Sequence, residues 1–271
     1  MIDKFTILNV KQKNDKLNWC RQSLLDIGVP DHMIEVFPAK YWKDYGSLEN
    51  IVDAAVADGF EFFGNLTYQE DFGSQQRHLG QLCQTWSYVS FYRHLTELDQ
   101  THIFMHDDMH ITVDFDTLLS AIEKIPDREN LMFAYISKFI DKPISPDQII
   151  DYKNPWIKSL SDRSEWDCVK IYTPKSASIL LEKFDTITWI GEGWFMVIIW
   201  YVYQDYFKKC GNIYELAINP ELSDSEVANE YKFLMSDEFK KLEEKTWDLR
   251  FKNSVVLQHH SFPTDMEDFV N

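Results

Sequence analysis

Basic residues are scarce in this sequence. Lysine and arginine together number 27, against 44 aspartate and glutamate residues, which gives a formal net charge of −17 at pH 7. Proteins that bind nucleic acid without sequence preference use lysine and arginine to displace the counterions of the phosphate backbone. Anionic membrane surfaces attract the same two side chains. The charge balance therefore argues against nucleic acid, and against a membrane surface, as the main partner.

Cysteines and long apolar runs are also few. The four cysteines lie far apart and form no CxxC pair, which is typical of reduced thiols in a cytoplasmic protein. The longest apolar run, "WFMVIIWYVY" over residues 194–203, is shorter than the about 20 residues that a membrane-spanning helix needs. Charged residues begin at once in "MIDKFTILNVKQKN", so no secretory signal is expected. We expect a cytoplasmic protein without membrane insertion.

Aromatic residues, in contrast, make up 15% of the 271 residues, and nine of them are tryptophan. This abundance leaves rings available for flat ligand faces, such as those of sugars and bases. Segments typical of strands alternate with segments typical of helices, beginning with "FTILNV" and the helix after it. The alternation predicts a single α/β domain with a mainly parallel central sheet flanked by helices.

Two adjacent acids follow an apolar run in "IFMHDDMHI". The run predicts a short buried strand, and the acids, Asp107 and Asp108, are then expected at its carboxyl end, facing the crevice where open α/β sheets bind ligands. Manganese and magnesium ions take oxygen ligands and commonly bridge one or two carboxylates to substrate phosphates. We therefore predict Asp108 as a ligand of Mn²⁺ or Mg²⁺, with Asp107 holding a sugar hydroxyl or the waters of the ion.

A histidine pair, His259 and His260, ends the last predicted strand in "SVVLQHH". Imidazole is a good manganese or zinc ligand, so either histidine could complete the coordination that the aspartates begin. An exposed pair without a ligand role is the alternative, and the spacing does not decide between the two interpretations.

A glutamate between two glycines forms the centre of "TWIGEGWF". The glycines allow the backbone to turn sharply, and Trp189 and Trp194 stand on either side of Glu192. Glu192 could act as the general base on an acceptor hydroxyl while the tryptophan rings cover the sugar faces. The alternative is an acid at a helix N-terminus that complements the helix dipole.

The segment "RHLGQ" opens a long predicted helix. Arg77 could contact a phosphate, whereas an exposed arginine ahead of a helix is the plainer interpretation. The helix itself should bury one face, formed by Leu82, Trp86, Val89, Leu95 and Leu98.

Four segments, in the same order, carry a resemblance to a known family: "FTILNV" with Arg21 further on, "HLGQLCQTWSYVSFYRHL", "IFMHDDMHI" and "VKIYTPKSASILLEKF". They resemble the opening strand and arginine, the glycine-led helix G-x-x-x-C-x-x-S-H, the strand ending in Glu-Asp-Asp, and the A-Y-x-x-S-x-x-G-A-x-x-L-L stretch of glycosyltransferase family 25. That family is the group of bacterial lipopolysaccharide and collagen galactosyltransferases. The likeness covers most of residues 5–200.

The resemblance implies a GT-A-like fold and a metal-dependent enzyme that moves a sugar from a nucleotide-sugar donor, most often a UDP-sugar, to a hydroxyl of a glycan or glycoprotein acceptor. The donor would bind in about residues 1–115 and the acceptor in about residues 116–271. Its implied donor-binding residues are Asn9, Arg21, Arg77, Gln81 and Asp107. Its implied metal ligands are Asp108, His259 and His260; Glu192 would be the base of an inverting transfer, and Trp189 and Trp194 would hold the acceptor.

Three positions depart from the family pattern. His106 replaces its glutamate, Tyr88 replaces its helix histidine, and Ser176 replaces a glycine. The departures indicate a distant branch, such as one encoded by a virus or phage.

Two other functions compete with glycosyl transfer. Adjacent aspartates with histidines also suit a metal-dependent phosphoesterase, but such an enzyme normally has further metal ligands early in the chain, and "NVKQKN" after the first strand has no acid or histidine. The other alternative is a non-catalytic carbohydrate-binding protein.

Overall fold

The computed structural model describes residues 2–11, 13–64, 75–136, 143–159, 169–184, 188–189, 209–241 and 256–258. The strands are β1 (Lys4–Asn9), β2 (Ile34–Pro38), β3 (Phe63–Gly64), β4 (His102–His106), β5 (Met109–Ile111), β6 (Leu131–Tyr135), β7 (Trp156–Lys158), β8 (Val169–Tyr172), β9 (Thr188–Trp189), β10 (Asn212–Leu216) and β11 (Val256–Gln258). The helices are α1 (Asn14–Asp26), α2 (Leu48–Ala57), α3 (Gln75–Leu98), α4 (Phe115–Glu123), α5 (Pro174–Phe184), α6 (Asp224–Leu234) and α7 (Asp237–Lys241).

A seven-stranded sheet forms the centre of the fold, in the order β2-β1-β4-β8-β6-β10-β7. Two small two-stranded sheets accompany it, one of β5 with β11 and one of β3 with β9. In β1 every residue after Lys4 is buried, which is typical of a central strand covered on both faces. The predicted α/β class is confirmed.

The central sheet is mixed, and the prediction of a mainly parallel sheet holds for the direction of five of its seven strands. β1 runs parallel to β2 and β4, and β10 runs parallel to β6. β8 lies between β4 and β6 and is antiparallel to both, while β7 is antiparallel to β10. The described residues between β6 and β8 contain no α-helix, so the crossover helix that would bring the chain back in the parallel direction is absent from that described stretch.

Helices cover both faces of the central sheet. On one face, α1 and α4 pack through Cys20, Leu24, Leu118 and Ile122. On the other face, α2, α3 and α5 pack through residues that include Ala55, Trp86, Phe91, Leu95, Ala177 and Leu180. A third cluster joins α6 to β7. None of the helices in the described part of the chain combines the length and apolar character needed to cross a bilayer.

Helix α3 confirms most of the predicted apolar face. Leu82, Trp86, Val89 and Leu95 are buried, whereas Leu98 is 42% exposed, so its predicted burial is wrong. Leu98 is the last residue of the helix, and the next residue, Asp99, has a φ of 52°, at which the chain turns back toward β4. The side chain at the turn therefore lies outside the helix–sheet contact.

Candidate functional site

The strand order reverses between β1 and β4. From β1 the chain passes to β2 on one side and then returns to β4 on the other, and all three strands are parallel. Leu8 pairs with His106, so Asn9 and Asp107 follow at the carboxyl ends of adjacent strands. A reversal of this kind is the point at which open α/β sheets bind ligands.

Asn9 and Asp107 are joined across this reversal. The Nδ2 atom of Asn9 donates a hydrogen bond of 2.6 Å to Oδ2 of Asp107 and a longer one of 3.3 Å to the main-chain oxygen of Lys13. The asparagine amide is thus held by Lys13, the residue before α1, and in turn orients the carboxylate. Two of the residues that the sequence predicted as donor-binding are therefore brought together.

Asp107 and Asp108 form the turn between β4 and β5 and are only 4% and 7% exposed. The sequence predicted that they would face an open crevice, but the structure buries both within the protein. Because both carboxylates are shielded from water, their charged forms depend on hydrogen-bond donors or cations within the protein.

Cys20 of α1 lies on the same side of the strand end as the two acids. Its Sγ donates to the main-chain oxygen of His106 at 3.8 Å. Burial raises the pKa of the Cys20 thiol, and the carboxylates of Asp107 and Asp108 raise it further. Cys20 is therefore a protonated core thiol, and the negative potential of the two acids extends toward α1.

The acids fit a hard divalent cation as part of a donor set. Among the described residues, no group of three or more histidine, cysteine, aspartate or glutamate side chains could hold a metal ion. Two carboxylates are nevertheless the usual protein share of a site that magnesium or manganese completes with waters and phosphates. β11 pairs with β5 so that Gln258 lies opposite Met109, the neighbour of Asp108. His259 and His260, the next residues of the chain, lie outside the described residues.

Of the other predicted site residues, Arg21 is not brought to the aspartates. Arg21 forms an exposed ion pair with Asp31, which precedes β2, so it lies toward the opposite end of the sheet. Only the backbone of Arg77 and Trp189 is described, the former in the first turn of α3 and the latter paired with Gly64. Glu192 and Trp194 lie outside the described residues.

Sequence reasoning missed a hydrogen bond between α3 and β4. The hydroxyl of Tyr88 lies 2.8 Å from Nε2 of His106, and both side chains lie on the α3 side of the sheet. Tyr88 and His106 are two of the three positions at which the sequence departs from the pattern of glycosyltransferase family 25. The structure places these two side chains in contact. The sequence contained a signal for this contact, because the two departures fall in a predicted helix and in the strand after it, which α/β packing brings together.

A buried lysine was also missed. Lys170 of β8 is fully buried, and its Nζ lies 4.9 Å from the centre of the Tyr135 ring. Lys170 pairs with Tyr135, which pairs with Glu215, another buried charged residue, so a cation and an acid lie in one row across the sheet. The single lysine in "VKIY" would be expected to face solvent from a half-buried strand. The structure shows instead that both faces of β8 are covered, which the sequence of the strand alone does not indicate.

No protein-family model and no curated protein matches this chain.

Removal of the Tyr88 hydroxyl should weaken the contact between α3 and β4. In Tyr88→Phe the partly buried His106 ring nitrogen loses this partner, and we expect a loss of about 1–2 kcal/mol in the free energy of unfolding. Tyr92→Phe is the matched control one turn along, where the lost partner is the Tyr172 hydroxyl at 3.1 Å. Urea titration of both variants measures the difference. An unchanged midpoint for Tyr88→Phe would show that the bond does not stabilise the fold.

Proposed function

We propose that this chain is a metal-dependent glycosyltransferase of the GT-A type, distantly related to glycosyltransferase family 25. It would transfer a sugar from a nucleotide-sugar donor, most often a UDP-sugar, to a hydroxyl of a glycan or glycoprotein acceptor. The observation that carries the proposal is the hydrogen bond from Asn9 to Asp107 across the β1–β4 strand reversal, with Asp108 beside it. An α/β sheet binds its ligand at this position.

The chemistry of the two acids supports a diphosphate-bearing ligand. Asn9 fixes the orientation of the Asp107 carboxylate, and Asp108 supplies a second carboxylate in the same turn. When bound there, Mn²⁺ or Mg²⁺ would offset the negative charge that develops on the nucleoside diphosphate as it leaves. His259 or His260 would complete the ligand set, since the chain connects them to Gln258, which is paired beside the turn.

In the proposed reaction the acceptor oxygen forms a bond to the anomeric carbon while the bond from that carbon to the diphosphate oxygen breaks. The bonding electrons leave with the nucleoside diphosphate, and the proton of the acceptor hydroxyl goes to Glu192. The transfer would invert the anomeric configuration because attack and departure occur on opposite faces of the sugar. The roles of Glu192, Trp189 and Trp194 remain predictions from the sequence.

Nucleotide and metal titrations test the proposal. We expect UDP with Mn²⁺ to raise the melting temperature, because a ligand at a hundred times its Kd stabilises the folded chain by about 2.7 kcal/mol. GDP and CMP, each with and without Mn²⁺, are the matched comparisons in a thermal-shift assay. Absence of any nucleotide shift, together with hydrolysis of a phosphate ester, would instead favour a phosphoesterase. A shift with free sugars alone would favour a carbohydrate-binding protein.

A further inference from the structure

Helix α3 extends beyond the carboxyl end of β4. Its second half packs on the sheet, where the rings of Phe91 and Phe104 are 4.5 Å apart. Tyr88 contacts His106, the last residue of β4. Since α3 leads into β4 through a short turn and runs antiparallel to it, the residues before Tyr88 lie past the strand end. At 1.5 Å per residue, Gln81 lies about 10 Å further along the helix axis.

The inner face of α3 changes character at this point. Beside the sheet it carries apolar and aromatic side chains, such as Val89, Phe91 and Tyr92. Past the strand end the same face carries a polar stripe at helical spacing, which we call the α3 stripe: His78, Gln81, Thr85 and Tyr88, all of them buried. Buried polar groups normally have hydrogen-bond partners, which for Tyr88 and Thr85 are His106 and the main-chain oxygen of Gln81.

Gln81 is the member that indicates a ligand. It is 3% exposed, and no hydrogen bond to its Oε1 atom is formed within the part of the chain that the structure describes. Thr85 donates its hydroxyl proton to the main-chain oxygen of Gln81 at 3.0 Å, so the lone pairs of the Thr85 oxygen remain as acceptors. The α3 stripe therefore presents hydrogen-bond acceptors to a group that brings its own donors.

The chemistry of the stripe suits a neutral, hydroxyl-bearing ligand. Gln81, Thr85 and Tyr88 carry no charge at neutral pH, whereas a phosphate is usually bound by cations or main-chain N–H groups. The α3 stripe and the acidic turn lie on opposite faces of the sheet at the end of β4. On the α3 face, Tyr88 contacts His106, and on the α1 face Asn9 holds Asp107. A donor with its diphosphate at the aspartates could thus direct its sugar toward α3.

We propose that the α3 stripe binds the hydroxyl groups of the transferable sugar, with Oε1 of Gln81 accepting a hydrogen bond from one of them. This inference rests on the proposed function for the identity of the ligand. It assigns Gln81 to the sugar, and not to the nucleotide, part of the donor.

Gln81→Leu is the decisive variant. It removes a buried acceptor that lacks a partner in the described structure, so the ligand-free variant should melt at the same temperature as the wild type or higher. By calorimetry with Mn²⁺, we expect the Kd for the preferred of UDP-galactose, UDP-glucose and UDP-N-acetylglucosamine to rise about tenfold, which corresponds to one hydrogen bond. The Kd for UDP alone should not change.

Two further variants keep the test decisive. Gln84→Leu makes the same exchange on the same helix at a half-buried position and should leave both Kd values unchanged. Thr85→Val removes the hydroxyl acceptor with little change in shape and should weaken the UDP-sugar but not UDP, even if Gln81→Leu fails to fold.

Distinct outcomes overturn the inference and the proposed function. A lowered melting temperature in Gln81→Leu with unchanged UDP-sugar binding would mean that the glutamine is structural. Equal weakening of UDP and UDP-sugar would assign the stripe to the nucleoside. If the wild type binds no nucleotide, the proposed function fails, and D-galactose then decides the inference: weaker galactose binding in Gln81→Leu supports the stripe, whereas no galactose binding by the wild type overturns it.

Discussion

Asp108→Asn should lower metal-dependent sugar transfer by at least about a hundredfold, the scale on which removal of one strong electrostatic contact to a developing charge acts. The exchange keeps the side-chain volume of a residue that is 7% exposed, removes its negative charge and replaces one acceptor oxygen by an NH2 donor. The variant should also lose the thermal shift that Mn²⁺ and nucleotide produce together. Both results follow if the turn between β4 and β5 supplies charge to a dication beside the diphosphate.

Asp116→Asn is the matched control for this experiment. Asp116 is an exposed acid in the first turn of α4, so the same exchange there changes the net charge equally without touching the turn. Transfer rate and manganese-dependent shift should both stay at the wild-type level. If Asp108→Asn retains full transfer and an intact manganese titration, the acids have only a structural role and the metal-dependent mechanism is wrong.

Acid should destabilise the fold through His102, a residue of β4 far from the proposed chemistry. His102 is 0% exposed, and its Nδ1 lies 2.7 Å from the Thr6 hydroxyl and 3.5 Å from Oε2 of Glu35. Burial lowers the pKa of His102 to about 4, against the opposing effect of the Glu35 carboxylate. In the unfolded chain the ordinary histidine value of about 6.5 applies.

The lowered pKa fixes the direction of the pH dependence. Between about pH 6.5 and about pH 4 the unfolded chain holds a proton on this ring that the folded chain does not, so stability falls as the pH falls. The loss attributable to His102 is about 3 kcal/mol across that window, at 1.36 kcal/mol per pKa unit. Well above pH 6.5 the ring is neutral in both states and contributes no slope.

Urea unfolding of the wild type and His102→Gln at several pH values measures this contribution. The variant should be less stable at pH 7.5 but should show a shallower decline toward pH 4.5. His32→Gln, at an exposed position, is the control and should decline as the wild type does. Parallel curves for the wild type and His102→Gln would show that other groups cause the acid sensitivity.

Local patterns predicted much of the fold. The strands β1 and β4 and the helices α1 and α3 overlap the segments that apolar spacing assigned to them. Each of these strands is a short apolar run, and the helices have the 3.6-residue repeat of a one-sided contact. Apolar runs and helical periodicity depend only on residues that are close together in the chain, so a single sequence is enough to detect them.

Strand direction and register could not be predicted, because they depend on residues far apart. β10, in "NIYEL", was not predicted at all, although it pairs with two strands of the central sheet. β8 enters between β4 and β6 in the antiparallel sense, and no local pattern in "VKIY" distinguishes this placement from a parallel one. The expected alternation of strands and helices failed at β8, because the described residues between β6 and β8 contain no α-helix.

The candidate site was predicted in part for the same reason. Asp107 and Asp108 were predicted because an apolar strand ends directly before them, whereas Asn9 was placed with them through the resemblance. Arg21 was placed with them through resemblance alone, and the structure pairs it with Asp31 instead. Of the α3 stripe, only Gln81 was predicted as a binding residue, through the resemblance. The other members were missed because a polar residue on a helix is expected to face solvent, and only the length of α3 relative to β4 puts these residues inside the protein.

The pairing of β5 with β11 sets the order in which this region is completed during synthesis. Met109–Ile111 emerges from the ribosome well before Val256–Gln258, its antiparallel partner. Closing so long a loop is entropically costly and slow compared with the local pairing of β1 and β2. The acidic turn next to β5 therefore gains its last neighbouring strand only after almost all of the described chain has been translated, so a nascent chain would have a partly formed centre until that final step.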